Sequence, residues 1–311
     1  MLDLSIPEIS SEKDKTGAAR GRTNLAVIVA QRSWDLALFP SLLLCALLLV
    51  LSQGLFLRGS LHQDLGFGQS SPAVSLFNFR EIAADAYYWR ALLVSIAVSA
   101  AATFLTLAIA FPLGYVLARM EGKLSMALLA GVVVSSFVTI VVKVLGLLLL
   151  FSSNGPINHV LQGLGFISAP VAIIGTLPGV VVGLMYYTLG FATLLFYSLI
   201  VTVPRSVEEA AEIHGASRLG VLLKIVLPIC LPGIAAGLLM VFSICMGGFS
   251  STVLIGSGKV MTVPIVLQRA VMLENSYGMG AALAILLLIT VLVINATAAM
   301  LLHRARKNMV V

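Results

Sequence analysis

Six apolar runs govern what this chain can fold into. They lie at about 36–57, 91–118, 124–151, 171–203, 229–255 and 280–302, each near or above the ~20 residues that an α-helix needs to cross a bilayer. None of them contains an Asp or a Glu. Hydrophobic residues make up 59% of the chain and charged residues 10%, against roughly 25% charged in soluble domains. The mean hydropathy is +1.07. Backbone polar groups find no partner in hydrocarbon, so runs of this length must satisfy themselves as helices. The expected fold is all-α: a polytopic membrane protein with six transmembrane helices.

The rest of the chain divides accordingly. Residues 1–33 are polar and mixed in charge, and read as a tail with a short helix at 24–32. The apolar run after it starts too late and is too long for a cleavable signal peptide. The first transmembrane helix occupies 34–57 and an outer loop 58–90. A core of five transmembrane helices takes up 91–303, with a charged loop at 204–228 inside it. Residues 304–311 form a C-terminal tail. Basic residues set the orientation. The N-terminal tail, Arg119, Lys123, Arg205, Arg218, Lys224 and Arg304 fall on one side; Arg58, Arg80, Arg90, Lys259 and Arg269 fall on the other. The richer side reads as cytoplasmic, with both termini and the charged loop. The net charge of +6 follows this topology and does not argue for nucleic acid. Cys45, Cys230 and Cys245 sit in apolar runs, where a thiol acts as a small hydrophobe. The four His residues are scattered, so no metal site is expected. On the outer side, Phe77-Asn78-Phe79 and Tyr87-Tyr88-Trp89 read as headgroup-level anchors, and 154–158 as a turn.

The charged loop is the longest polar island between two strongly apolar runs. Ser206 and Glu209 have the spacing of a capping box, and Glu208, Glu209 and Glu212 suit the positive end of a short helix. Gly215 is placed to end that helix in a left-handed turn. A second short helix is expected, apolar at Leu219, Leu222, Leu223 and Val226, with Pro228 ending it or opening the next span. The pair would lie along the membrane surface.

The loop also carries a longer pattern. Glu209-Ala210-Ala211 is followed after three residues by Gly215, and after nine more by Ile225, Val226 and Leu227-Pro228. This resembles the signature of permease subunits of type I, binding-protein-dependent ABC importers. The stretch 91–115 looks like the first core helix of such permeases, and 155–165 and 249–256, with Pro264, are similar to the polyamine, opine and ferric-ion branch of that family. One departure is Lys143, where relatives of the polyamine branch often have arginine; the charge is kept but bidentate geometry is not.

The resemblance implies a coupling helix that docks on a cytoplasmic ATPase through Glu208, Glu209, Ala210, Ala211, His214, Gly215 and Ala216. It implies as partners a second, homologous permease subunit, an ATPase dimer and a periplasmic substrate-binding protein, with the chain in the bacterial inner membrane. No cofactor is expected on this chain; ATP and Mg would sit on the partner ATPase. The chain is expected to be a transport subunit and not an enzyme. Neither Gly122-Lys123-Leu124 nor Gly258-Lys259-Val260 has the setting of a phosphate-binding loop. The expected substrate is a polyamine, an opine or an amino-acid-like solute. An ATP-independent channel or secondary carrier is the alternative, weakened by the absence of a carboxylate in any span.

Candidates for the solute pathway are the polar residues of the spans: Ser136, Thr139, Lys143, Tyr186, Tyr187, Ser243, Met246 and Ser250. Hydroxyls in spans also bond backbone or pack against neighbours. Lys143 is the one ionisable side chain inside a span. On a straight helix it lies about 28 Å from the span's start, near the outer boundary. It either snorkels to the headgroups or attracts an anionic substrate or a partner carboxylate. Gly179/Gly183 and Gly233/Gly237 permit close helix approach, with a subunit interface as one use.

Overall fold

The structure is a computed structural model and describes residues 39–66 and 69–309. The expected N-terminal tail and its helix lie outside the described residues. Contacts divide the chain into one unit at 1–56 and another at 57–311. Helix α1 (Phe39–Ser60) has a mean hydropathy of 2.1 over its apolar stretch, and its apolar side chains stay exposed.

In the second unit, the outer segment is built rather than looped. Strands β1 (His62–Gly66) and β2 (Gln69–Val74) pair antiparallel, with His62 opposite Val74 and an irregularity after it. Helix α2 (Phe77–Ala84) follows. Asn78, read as part of a headgroup anchor, is buried instead. Its amide donates to the carbonyls of Ser60 and His62, both at 3.0 Å. Tyr87 and Trp89, read in the same way, are exposed.

Helix α3 (Ala86–Arg119) starts at Asp85, whose carboxylate accepts from the Tyr87 amide at 2.8 Å. The third run is not one straight helix. It breaks at residues 138–139 into α4 (Lys123–Phe137) and α5 (Ile140–Leu150), bent by 102°. The straight-helix distance for Lys143 therefore fails. Helix α6 (Pro156–Gly163) covers the expected turn. There buried Asn158 clips the chain, accepting from the Val171 amide and donating to the Ser152 carbonyl, both at 2.9 Å. Helix α7 (Leu177–Val201) begins six residues later than the apolar run.

Helix α8 (Arg205–Ile213) is the loop helix. The second helix is not a separate surface piece. Helix α9 (Arg218–Val221), a π-turn at Leu222–Val226 and α10 (Leu227–Met246) run together as one span. The wide turn stands just before Pro228, which has no amide to donate back. The fifth run then breaks at residues 247–248, before α11 (Phe249–Gly256). Helices α12 (Val263–Met272) and α13 (Tyr277–Met309) close the chain.

The main core lies where α3, α7 and α10 meet, around Ala102, Ala110, Phe111, Leu184, Phe196 and Ile200. Glycines make this approach possible. A Cβ at Gly233 or Gly237 would meet Leu199 or Leu195 of α7, and one at Gly183 would meet Ile255 and Ser251 of α11. The small-residue spacings thus serve packing within this subunit. At one end of the bundle Asp64 caps α13, accepting from the amides of Gly278 and Met279 at 2.8 and 3.1 Å. At the other, α3 ends against α8.

Candidate functional site: the charged loop and the elbow of the third span

The loop helix forms for reasons other than a capping box. Its N-cap is Pro204, with no side-chain hydrogen bond, and Ser206 lies inside the helix. Of the three acidic residues only Glu208 occupies the first turn. The C-terminus is as expected. The Ala216 amide donates to the Ala211 carbonyl at 3.1 Å and the Gly215 amide to the Glu212 carbonyl at 2.9 Å. This is a Schellman ending with Gly215 at φ +84°, a conformation that is costly for residues with a Cβ. Ser217 then starts the next helix, its hydroxyl accepting from the Gly220 amide at 3.2 Å.

The helix has two faces with different fates. Glu208 points inward and is buried. Arg119, the last residue of α3, donates to its Oε1 from Nε at 2.8 Å and also from Nη2. The Tyr115 hydroxyl donates to Oε2 at 3.0 Å. Arg119 Nη2 further donates to the carbonyls of Ile200 and Val203 at 3.2 and 3.0 Å, which caps the end of α7. The side chains of Arg119 and Glu208 are only 15% and 10% exposed. One guanidinium thus ties together α3, α7 and α8. Ala211 and Ala216 are half-buried against the main core.

The outward face carries Glu209, Ala210, His214 and Gly215, all exposed. Ile213 is 85% exposed and Leu219 71%. Beside it, a cleft of about 490 Å³ opens between α3 and α8, lined by Tyr115, Arg119, Arg205, Glu209, Glu212 and Arg218 among others. The exposed Arg205–Glu121 pair at its edge adds little to stability. Arg119, Tyr115 and Ile213 were not singled out from sequence. A lone arginine at a span end looks like any cytoplasmic anchor, and its partner lies 89 residues away.

The family model described as "binding-protein-dependent transport system inner membrane component" matches residues 110–307, which include this loop. The chain belongs to that family. The permease is 32% identical over 205 residues to the spermidine/putrescine transport system permease protein PotB of Escherichia coli (strain K12), covering 66% of this chain and 74% of the relative. It is 30% identical to PotB of Haemophilus influenzae, covering 61% and 67%. It stands in the polyamine-like branch of ABC importer permeases. Two solved structures share the fold. One is a bacterial ABC transporter involved in import of the acidic polysaccharide alginate, with TM-score 0.69, 21% identity, and 88% of this chain and 96% of that chain covered. The other is the MetNI methionine ABC transporter in an inward-facing conformation, with TM-score 0.55, 16% identity, and 70% and 95% covered. The permease is an inner-membrane, multi-pass transport subunit, and its all-α fold accommodates six spans when the bent α4–α5 pair is taken as one.

The pathway candidates of the permease do not form one group. Ser136, Thr139, Lys143 and Tyr186 come together at the α4–α5 elbow against α7. A Cβ on Gly190 would meet Ser136 Oγ at 2.5 Å, and Lys143 Nζ lies 5.9 Å from the centre of the Tyr186 ring. Gly190 and Tyr186 are four apart on α7, so they share a face. Lys143 is 5% exposed, so it does not snorkel along the outside of the subunit. Ser243 lies elsewhere. Its hydroxyl bonds the Leu239 carbonyl and accepts from the Asn295 amide of α13, each at 2.8 Å. Met246 is fully buried in the core. Tyr187 and Ser250 are half-buried.

Proposed function

We propose that this permease pairs with a second, homologous permease subunit to enclose a solute path in an ATP-driven, binding-protein-dependent importer. A periplasmic binding protein delivers the solute, and an ATPase dimer, carrying ATP and Mg, docks on α8 from the cytoplasm. Both termini lie on that cytoplasmic side, where the basic residues concentrate. The solute is a polyamine, an opine or an amino-acid-like molecule.

One observation carries this reading: α8 divides its residues between two tasks. Glu208 is spent inward on Arg119 and Tyr115. Glu209, Ile213 and His214 face outward, with an apolar side chain bare in a water-facing position. Such a face suits a protein partner. Glu209 pairs there with a basic residue of the ATPase, and Ile213 fills a groove. Because Arg119 holds α8 against α3 and α7, a push on α8 moves the spans and does not merely bend a loop.

The test is a double variant, Glu209→Arg with Gly215→Val, in the complete importer reconstituted into liposomes. ATP-dependent uptake should be abolished while the chain still inserts and its spans remain protected from protease. Uptake at the normal rate would overturn the docking role. Uptake by the wild-type chain without the ATPase would favour a self-sufficient carrier.

A further inference from the structure

The elbow of the third span holds a charge that the chain does not neutralise. Lys143 lies in the first turn of α5, its amide bonded to the Thr139 carbonyl at 3.1 Å. It is 5% exposed. Among the described residues its ammonium makes no ion pair and no hydrogen bond; it lies 5.9 Å from the centre of the Tyr186 ring. Among the described residues every Asp and Glu lies outside the membrane-crossing helices, so no carboxylate of those helices neutralises it. A buried, unpaired cation in a membrane protein is expensive and marks a functional position.

The break adds to the same sign. Helix α5 starts afresh after the 102° bend, and the Thr139 hydroxyl does not cap it. Its first amides therefore lack an intrahelical acceptor, and the positive end of the helix dipole lies at the elbow. A long side chain in a first turn leans back toward that end. Broken spans use such half-helix N-termini to meet anionic groups of a solute. Ser136 and Thr139 flank the bend, the Ser136 hydroxyl donating to the Val132 carbonyl at 2.8 Å, and Thr139 and Tyr186 are exposed on this subunit.

We propose that the elbow, with Lys143 at its centre, recognises an anionic group of the transported solute, a carboxylate or a phosphonate. The inference rests on the importer reading and narrows its substrate class to opine-like or amino-acid-like solutes. The solute's anionic group supplies the counter-charge that the chain lacks.

The experiment has two arms, neither of which requires ATP-driven uptake, so its failure is distinct from failure of the importer reading. In the first, Thr139→Cys is placed in the complete transporter in liposomes, in a background with Cys45→Ser, Cys230→Ala and Cys245→Ala. Its reaction is timed with an anionic and a cationic methanethiosulfonate, the sulfonatoethyl and the trimethylammonioethyl reagents. The anionic reagent should be favoured, and Lys143→Met should lower that preference about ten-fold, as expected for a unit charge a few ångströms away at intermediate dielectric. Lys143→Arg should keep it. A preference that ignores Lys143→Met overturns the proposal. So does a cysteine unreactive to both reagents, which would place the elbow in lipid, against headgroup phosphates. In the second arm, the solute carried by the cognate binding protein as purified is identified by mass spectrometry. A solute with a carboxylate or phosphonate is expected; spermidine, putrescine or any solute without an anionic group overturns the proposal.

Discussion

Two helix breaks in this permease each bury a charge, and they treat it in opposite ways. Where α3 ends against α8, Glu208 is met by Arg119 and Tyr115, and Arg119 in turn satisfies two carbonyls of α7. At the α4–α5 elbow, Lys143 is just as deeply buried and has only an aromatic ring beside it. Burying a charge is worthwhile only when partners and hydrogen bonds return the lost hydration. A pair satisfied within the chain joins elements to one another. A charge left unsatisfied within the chain is available to something from outside. On the reading proposed here, the first break transmits force and the second meets a ligand.

The contrast breaks most visibly if Arg119 is removed. Arg119→Met strands the Glu208 carboxylate, and losing one partner of a buried pair costs about 3–5 kcal/mol. The purified permease should lose a corresponding share of its unfolding free energy in mild detergent. Replacing both, Arg119→Met with Glu208→Met, should return most of that stability, because apolar substitution of a whole pair is often close to neutral. ATP-dependent uptake should stay low in the double variant if the pair carries the push from α8. A single variant as stable as the parent would show that the pair contributes nothing, and the two breaks would then be alike.

At the elbow the sign reverses. Lys143→Met removes a buried charge with no internal partner, so it should stabilise the permease by about 0.5–2 kcal/mol while lowering transport, a trade-off common at functional sites. A loss of stability in the same melt would mean that this chain, or its partner subunit, already pairs the lysine.

Much of this was legible in the amino-acid order, and what was missed has a common cause. Apolar runs reported the spans because hydrocarbon thickness sets their length. Gly215 was legible because a left-handed residue ending a helix is a local demand. The break at residues 138–139 was not. Val138 and Thr139 are neither Gly nor Pro, and the bend answers to packing against α7. Ser206 and Glu209 had the spacing of a capping box, yet the helix starts earlier, at Arg205, with Pro204 as its N-cap. Asn78 looked like an anchor until the chain folded back on it. Local rules were readable; pairings across 89 residues, as between Arg119 and Glu208, were not. Of the pathway candidates, chemistry alone could not separate Lys143 and Tyr186 from Ser243, whose hydroxyl is taken by Asn295.

The smallest effect sharpens the account of the cytoplasmic break. A Cβ at Gly215 would meet nothing within 4 Å, so its one demand is φ +84°. Gly215→Ala should therefore cost about 1–2 kcal/mol through backbone strain alone, and Gly215→Asn less, since asparagine tolerates that region better. Both should still bind the ATPase on co-purification, because neither adds bulk against the subunit. If Ala and Asn lose the ATPase equally, Gly215 is a contact in the docked interface. If they follow the backbone order, it is a turn, and the outward face of α8 is left to Glu209, Ile213 and His214 for recognition.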